Sequence, residues 1–157
     1  MDIQNILAFL PPLLTAMILG AIIGVERNMA GRPAGMRTFA LVSMGSALFV
    51  TISNSLGNIP GLQTVDALRL TPQILVGIGF IGAGLVFFQD NKISGLTSAA
   101  GLWVAAGIGM ACGFGMYSLA VIVSILTLAI FSVLWIFEDK YLLKKVHYPP
   151  KNDELKK

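Results

Sequence analysis

Cysteine and histidine each occur once in this 157-residue chain, as Cys112 and His147, and charged residues make up only 12% of it. One cysteine has no disulfide partner within the chain, and one histidine in the tail with one cysteine in an apolar segment cannot form a histidine-based triad or a thiolate dyad. No HExxH motif and no cluster of cysteines is present. The sequence therefore predicts a protein that is not an enzyme and that has no cofactor, and a membrane enzyme ranks last among the functions considered.

The scarcity of charge has a second consequence, because hydrophobic residues make up 55% of the chain and its mean hydropathy is +0.79. An ordinary soluble domain is roughly 25% charged. About 20 apolar residues span the ~30 Å hydrocarbon layer of a bilayer, and a helix satisfies all of its backbone groups within one segment. The apolar runs are unbroken, whereas barrel strands alternate polar and apolar residues. The predicted class is all-α, a polytopic integral membrane bundle.

Five membrane-spanning helices are predicted, and the last two are separated by a turn at Gly113-Phe-Gly115 because 41 residues are too many for one span. The predicted segments are residues 6–25, 37–55, 70–88, 97–112 and 116–137. Pro11 and Pro12 fall in or near the first turns of the first helix, where proline costs least. A four-span alternative treats the glycine-rich third or fourth segment as re-entrant. Residues 1–139 form the membrane domain and residues 140–157 a short tail.

The basic residues predict the orientation of the bundle. With five spans and the N-terminus outside, ten of the eleven basic residues lie inside and only Arg69 lies outside, as the positive-inside rule requires. The ten are Arg27, Arg32, Arg37, Lys92, Lys140, Lys144, Lys145, Lys151, Lys156 and Lys157. This sidedness explains the formal net charge of +3 without a nucleic-acid partner, and the C-terminus is cytoplasmic. Trp135 and Tyr141 are predicted as interfacial anchors.

Glycine is concentrated in the predicted spans. Gly77, Gly79 and Gly82 match the GxGxxG string of nucleotide-binding loops, but they lie inside an apolar segment with no following carboxylate, so that match is accidental. With Gly84, they predict a helix face that a neighbouring backbone approaches closely. The other interpretation is a local unwinding whose freed carbonyls coordinate an ion.

Two further small-residue ridges are predicted to be helix-packing faces. In the fourth span, small residues recur every four positions and so lie along one ridge. They are Gly101, Ala105, Gly109 and Gly113. Gly20 and Gly24 form a shorter ridge at the end of the first span. So much glycine predicts a tight bundle, with surplus face for a second copy or another membrane protein.

Polar residues near the spans are few, and a charge at membrane level is costly and usually functional. Glu26 at the end of the first span is predicted to accept a bidentate hydrogen bond from Arg37 or Arg27. Asp66 and Arg69 are suited to a pair on the opposite side. Two interpretations of these residues remain open. They anchor the helix ends at the membrane surface, or they form a polar site that Gln73, Thr97 or Ser98 completes. Only two carboxylates lie near spans, on opposite faces, so no metal site is predicted.

Six ordered blocks of residues resemble the MgtC/SapB family of bacterial inner-membrane proteins. The blocks are Gly24-Val-Glu26-Arg27, Ala34-Gly35-Met36-Arg37-Thr38, Asp66-Ala-Leu-Arg69, Gly77-Ile-Gly79-Phe-Ile-Gly82-Ala-Gly84, Gly95-Leu-Thr97-Ser98-Ala-Ala100 and Trp103. The resemblance implies a role in adaptation to low magnesium and, in some intracellular pathogens, in virulence. The shared polar positions that it implies are Glu26, Arg27, Arg37, Thr38, Asp66 and Arg69.

The resemblance has two departures. Many members carry a soluble C-terminal ACT-like domain, whereas this chain ends soon after its last predicted helix and so resembles the short SapB-like branch. Ser98 stands where the family often has threonine, which keeps the hydroxyl.

The leading functional hypothesis is a non-enzymatic, multi-pass protein of the bacterial plasma membrane. It is expected to act by helix packing on itself and on other inner-membrane proteins, within magnesium or envelope-stress physiology. The alternative is a small oligomeric transporter or channel for an ion or small solute, with Glu26, Arg37 and Gln73 lining its path.

Overall fold

The computed structural model describes residues 3–57, 67–89 and 92–134, and over these residues the chain is a helical bundle with one short hairpin. The helices are α1 (Ile3–Met29), α2 (Met36–Gly57), α3 (Ala67–Leu85), α4 (Leu96–Gly113) and α5 (Tyr117–Ala129). Strands β1 (Phe87–Gln89) and β2 (Lys92–Ser94) pair antiparallel, and α5 continues into one π-helical turn, Ile130–Leu134. The predicted all-α membrane bundle is confirmed.

Each predicted segment coincides with one helix, and the predicted turn after α4 is confirmed because α4 ends at Gly113 and Gly115 has a φ of 75°. α1 begins earlier than predicted, so Pro11 and Pro12 lie in its third turn rather than its first turns. Both prolines lack an N–H, so two carbonyls one turn upstream lose their intrahelical donors. The predictions for Trp135, Tyr141 and residues 140–157 fall outside the described residues.

The hairpin was not predicted, and it shortens α3, which ends at Leu85 rather than at residue 88. Aromatic residues such as Phe87 favour strands, and the Asp-Asn pair at positions 90 and 91 favours a turn. Gly95 closes the hairpin with a φ of 88°, and a Cβ there would stand 2.9 Å from the carbonyl carbon of Leu85. Glycine is needed at this position for both reasons.

Glycines bring α1 directly against α2. A Cβ at Gly20 would stand 2.6 Å from the carbonyl oxygen of Phe39, and one at Gly24 would stand 2.8 Å from the backbone nitrogen of Met36. Real Cβ atoms do not approach other atoms so closely, so both contacts exist only because these residues have no side chain. This is the small-xxx-small packing that membrane helices use.

α4 also packs closely against α2 in the same way. A Cβ at Gly109 would overlap the carbonyl oxygen of Ser43 and stand 2.7 Å from its carbonyl carbon, and one at Gly113 would stand 2.7 Å from the Cβ of Val50. α2 is therefore the central helix of the group α1, α2 and α4. The free Cys112 is fully buried in this core.

Four helical segments of the described chain are long and apolar enough to cross a membrane, so this is a membrane protein. They are Leu7–Met29, Met36–Leu56, Leu96–Gly113 and Tyr117–Leu134. The apolar part of α3, Pro72–Leu85, is shorter. All 19 residues of α3 extend about 28 Å at 1.5 Å per residue. The crossing of the membrane by α3 and the external N-terminus therefore stay predictions.

Candidate functional site

A charged pair lies at the end of α1, where the sequence predicted a polar site. Nη2 of Arg27 donates to Oε1 of Glu26 at 2.7 Å, and Nε of Arg27 donates to Oε2 of Glu26. Of the two partners predicted for this carboxylate, the structure selects Arg27. The Arg27 side chain is only 4% exposed, whereas that of Glu26 is 22% exposed. The pair is thus a bidentate, charge-assisted interaction at the edge of the bundle.

The connection between α1 and α2 turns back directly after the charged pair. The carbonyl of Arg27 accepts a hydrogen bond from the backbone N–H of Arg32 at 3.0 Å, and Gly31 has a φ of 64°. The side chain of Asn28 packs so closely on Gly35 that a Cβ there would overlap it. These contacts return the chain to the start of α2 beside the end of α1.

An aromatic ring covers one face of the buried guanidinium. The guanidinium carbon of Arg27 lies 3.7 Å from the ring centroid of Phe131, which is itself 7% exposed and lies in the π-helical turn after α5. A cation over an aromatic face is attracted by the ring quadrupole, and more strongly when water is excluded. π-Helical turns often occur at functional sites.

Gly101 of α4 makes room for this ring. A Cβ at Gly101 would stand 2.7 Å from Cζ of Phe131 and 3.0 Å from Cζ of Phe39. The ends of α1 and α5 and the beginnings of α2 and α4 therefore meet at one point. We call the group formed by Glu26, Arg27, Phe39, Gly101 and Phe131 the arginine cluster. It ties four helices together at one end of the bundle.

Sequence reasoning found the charged pair but missed Phe131. A phenylalanine in an apolar span carries no signal of its own, and only contact with the arginine distinguishes it. Gly101 was identified as part of a packing ridge, which is consistent with its role here. Its clash would be with ring tips, which can move, rather than with backbone.

The other predicted polar residues do not join this cluster. Arg37 is exposed and Thr38 is partly buried near the start of α2. Ser98 is buried on α4, whereas Thr97 and Gln73 are exposed. Asp66 and the side chain of Arg69 lie outside the described residues. In the described part of the chain, no group of three or more histidine, cysteine, aspartate or glutamate residues could hold a metal ion.

The predicted packing glycines fall into two groups. Gly20, Gly24, Gly109 and Gly113 are covered by neighbouring helices, as described above. A Cβ at Gly82 would make an ordinary contact of 3.6 Å with Ala99. No atom of the described chain lies within 4 Å of a Cβ added at Gly77, Gly79 or Gly84. Among the residues that the structure describes, no helix therefore packs closely on these three glycines.

A cavity of about 640 Å³ lies beside α3, between it and α2. Its walls are almost entirely apolar, with Phe49 and Ile78 among them and with Gln73 and Ser46 as the polar side chains. α3 itself is a continuous helix from Ala67 to Leu85, so the predicted alternative of an unwound segment at Gly77 to Gly84 is not observed. No break in the helix between Gly77 and Gly84 therefore frees backbone carbonyls for an ion.

Comparisons with known proteins agree on one family. The model of the MgtC family matches residues 13–140. SrpB of Synechococcus elongatus is 46% identical over 56% of the chain, the putative magnesium transporter YhiD of Escherichia coli K12 is 40% identical over 88%, and MgtC of Salmonella typhimurium is 44% identical over 56%. The matches cover 53%, 66% and 36% of those relatives. No solved structure matches the chain.

Proposed function

The chain belongs to the MgtC family, and on this premise we propose that it is a non-enzymatic protein of the bacterial inner membrane that modulates other membrane proteins through helix contacts. Its physiological setting is magnesium homeostasis. YhiD, which is 40% identical, bears the name of a putative magnesium transporter. Since the matched region covers at most 66% of these three relatives, the activity of a whole relative reaches this chain only as part of the proposal.

The contrast between the two glycine groups supports this proposal most directly. The glycines of α1 and α4 are covered by α2, whereas Gly77, Gly79 and Gly84 of α3 have no described atom within 4 Å of an added Cβ, and Gly77 opens onto the cavity between α2 and α3. Phe80 on the same helix is 84% exposed and Val76 is 70% exposed. Glycine lowers the stability of a helix by roughly 1 kcal/mol relative to alanine. A helix that carries several uncovered glycines is suited to close approach by a helix from outside the chain.

The test uses a photo-crosslinking residue at position 80 in native membranes, with the same residue at position 125 of α5 as the control. Ile125 is 60% exposed and so also faces outward. We expect a discrete crosslinked product from α3 and none from α5, in cells grown at low magnesium. Gly77→Val is expected to abolish both this product and the growth that depends on the chain at low magnesium. Equal crosslinking from both helices, or full growth with Gly77→Val, would contradict the proposal.

A transporter is the second candidate, because of the name of YhiD and because Gln73 lines the cavity beside α3. Magnesium binds oxygen ligands and gives up its water shell reluctantly. The cavity offers an amide and a hydroxyl among apolar walls, which suits a magnesium path poorly. Saturable magnesium uptake into proteoliposomes, lost with Gln73→Leu and retained with Gln73→Asn, would favour this candidate over the first.

We also propose the orientation with the N-terminus outside and the tail in the cytoplasm. The arginine cluster then lies at the cytoplasmic end of the bundle, together with Arg32 and Arg37. Reporter fusions at the two ends of the chain test this arrangement. Activity of both reporters in one compartment would contradict it.

A further inference from the structure

A second apolar groove, distinct from the cavity beside α3, runs between α1 and α2 on the outer surface of the bundle. We call it the α1–α2 groove, and its volume is about 550 Å³. Ala21 and Ala40 are the small residues of its lining, and larger side chains such as Ile18 and Leu41 stand beside them, 52% and 63% exposed. The close contact of α1 with α2 at Gly20 fixes the spacing of the two helices.

The groove has the length of one leaflet of a bilayer. On α1 it is lined from Met17 to Val25, and on α2 from Met36 to Met44. Each stretch rises about 12 Å at 1.5 Å per residue. Half of the ~30 Å hydrocarbon layer is about 15 Å. The groove therefore reaches from one membrane surface almost to the centre of the bilayer.

One charged residue, Arg37, lines the groove, and it lies at the end nearest the membrane surface. Its side chain is exposed, and it forms no ion pair with any side chain in the described ranges. The nearby carboxylate of Glu26 is engaged by both Nε and Nη2 of Arg27. Arg32, also exposed, adds a second positive charge to the connection between the helices. The first backbone N–H groups of α2 at Met36 add the positive end of a helix dipole.

We propose that the α1–α2 groove binds an anionic phospholipid, with an acyl chain along the groove and the headgroup phosphate on Arg37. The guanidinium matches a phosphate geometrically and electrostatically. A phospholipid supplies both requirements of the site, an apolar chain of one-leaflet length and a negative group at its outer end. A partner helix would supply the apolar surface but would also need an acidic residue at this depth.

This site does not depend on the proposed function, since that proposal uses the outer face of α3. The test therefore separates the two. The purified protein is exchanged into detergent with phosphatidylglycerol or phosphatidylcholine of identical acyl chains, and retained lipid is measured by native mass spectrometry. We expect the wild-type chain to retain phosphatidylglycerol about tenfold more strongly.

Two pairs of variants distinguish a built site from general attraction. Arg37→Gln is expected to remove the preference for phosphatidylglycerol, whereas Arg32→Gln, outside the groove, retains most of it. Ala21→Leu fills the groove and is expected to reduce retention of both lipids, whereas Ala100→Leu on the exposed face of α4 leaves it unchanged. Unfolding midpoints of all four variants show whether each one is folded.

Three results would overturn the proposal. The first is equal retention of the two lipids by the wild-type chain. The second is an equal loss from Arg32→Gln and Arg37→Gln, which would indicate diffuse electrostatic attraction. The third is full retention by a folded Ala21→Leu variant.

Discussion

Replacing Gly109 by alanine tests the central packing contact of the bundle. At this position α4 lies directly on the backbone of α2, and an added Cβ would overlap the carbonyl oxygen of Ser43. Gly107, two residues earlier on the same helix, provides a matched control because no described atom lies within 4 Å of a Cβ added there. The two variants add the same methyl group to the same helix, and only the surroundings differ.

The expected cost at Gly109 follows from the separation that the methyl group requires. Its Cβ would stand 2.7 Å from the carbonyl carbon of Ser43, whereas ordinary contact begins at 3.4 Å, so the backbones must separate by at least 0.7 Å. Forcing extra carbon into a packed core costs about 1–3 kcal/mol. Alanine regains up to about 1 kcal/mol of helix propensity. The overlapped atoms are backbone and cannot rotate away, so the cost lies at the top of this range. We expect a net loss of about 2 kcal/mol, or roughly 30-fold in the unfolding equilibrium, and a neutral or favourable change at Gly107.

The measurement is unfolding of the purified protein in mixed micelles with increasing sodium dodecyl sulfate, followed by circular dichroism. The free energies of unfolding of both variants are compared with that of the unchanged chain. The reasoning is refuted if Gly109→Ala is as stable as Gly107→Ala, because α2 and α4 would then not be in backbone contact at this point.

The same titration checks three other pairs of variants. Ser43→Ala should be neutral or stabilising, because the Ser43 hydroxyl is buried without a partner among the described residues. Ser46→Ala should lower the free energy of unfolding by about 1 kcal/mol, because it removes a hydrogen bond to the carbonyl one turn back. A larger loss at Ser43 than at Ser46 would contradict this. Arg27→Gln should cost about 3–5 kcal/mol, because it leaves the partner carboxylate unpaired. Phe131→Leu keeps the ion pair and should cost only about 1–2 kcal/mol. The reverse order would show that the ring contributes more to stability than the charge pair. Gly31→Ala should cost about 1 kcal/mol because of the φ of 64° at this position, and Gly31→Asn should cost less. Equal stability of the two variants and the unchanged chain would exclude backbone strain at this position.

Much of the fold was predictable because the bilayer imposes a simple rule. A long apolar segment must form a helix in lipid, so hydropathy alone located five helices within a few residues. The turn at Gly113-Phe-Gly115 was predicted because glycine is permissive at breaks. The hairpin before Gly95 was not predicted, since strands of three residues are too short to leave an alternating pattern.

The candidate site was predictable only in part. The sequence located Glu26 and Arg27, because charges beside apolar segments are few and conspicuous. It could not choose between Arg27 and Arg37 as the partner of the carboxylate, and it gave no indication of Phe131. These depend on side-chain directions and on helices that are distant in the chain, which periodicity does not record.

The sequence by itself determined that this chain is a helical membrane protein of one family, with small-residue ridges on several helices. The tertiary structure decided which ridges are occupied. Gly109 is covered because α2 lies against it, whereas Gly77 opens onto a cavity and has no described atom within 4 Å of an added Cβ, although both are glycines within apolar helices. A small residue permits close approach by any neighbouring helix, so the sequence indicates only that such a contact is possible. The arrangement of the helices decides which neighbour, if any, makes the contact.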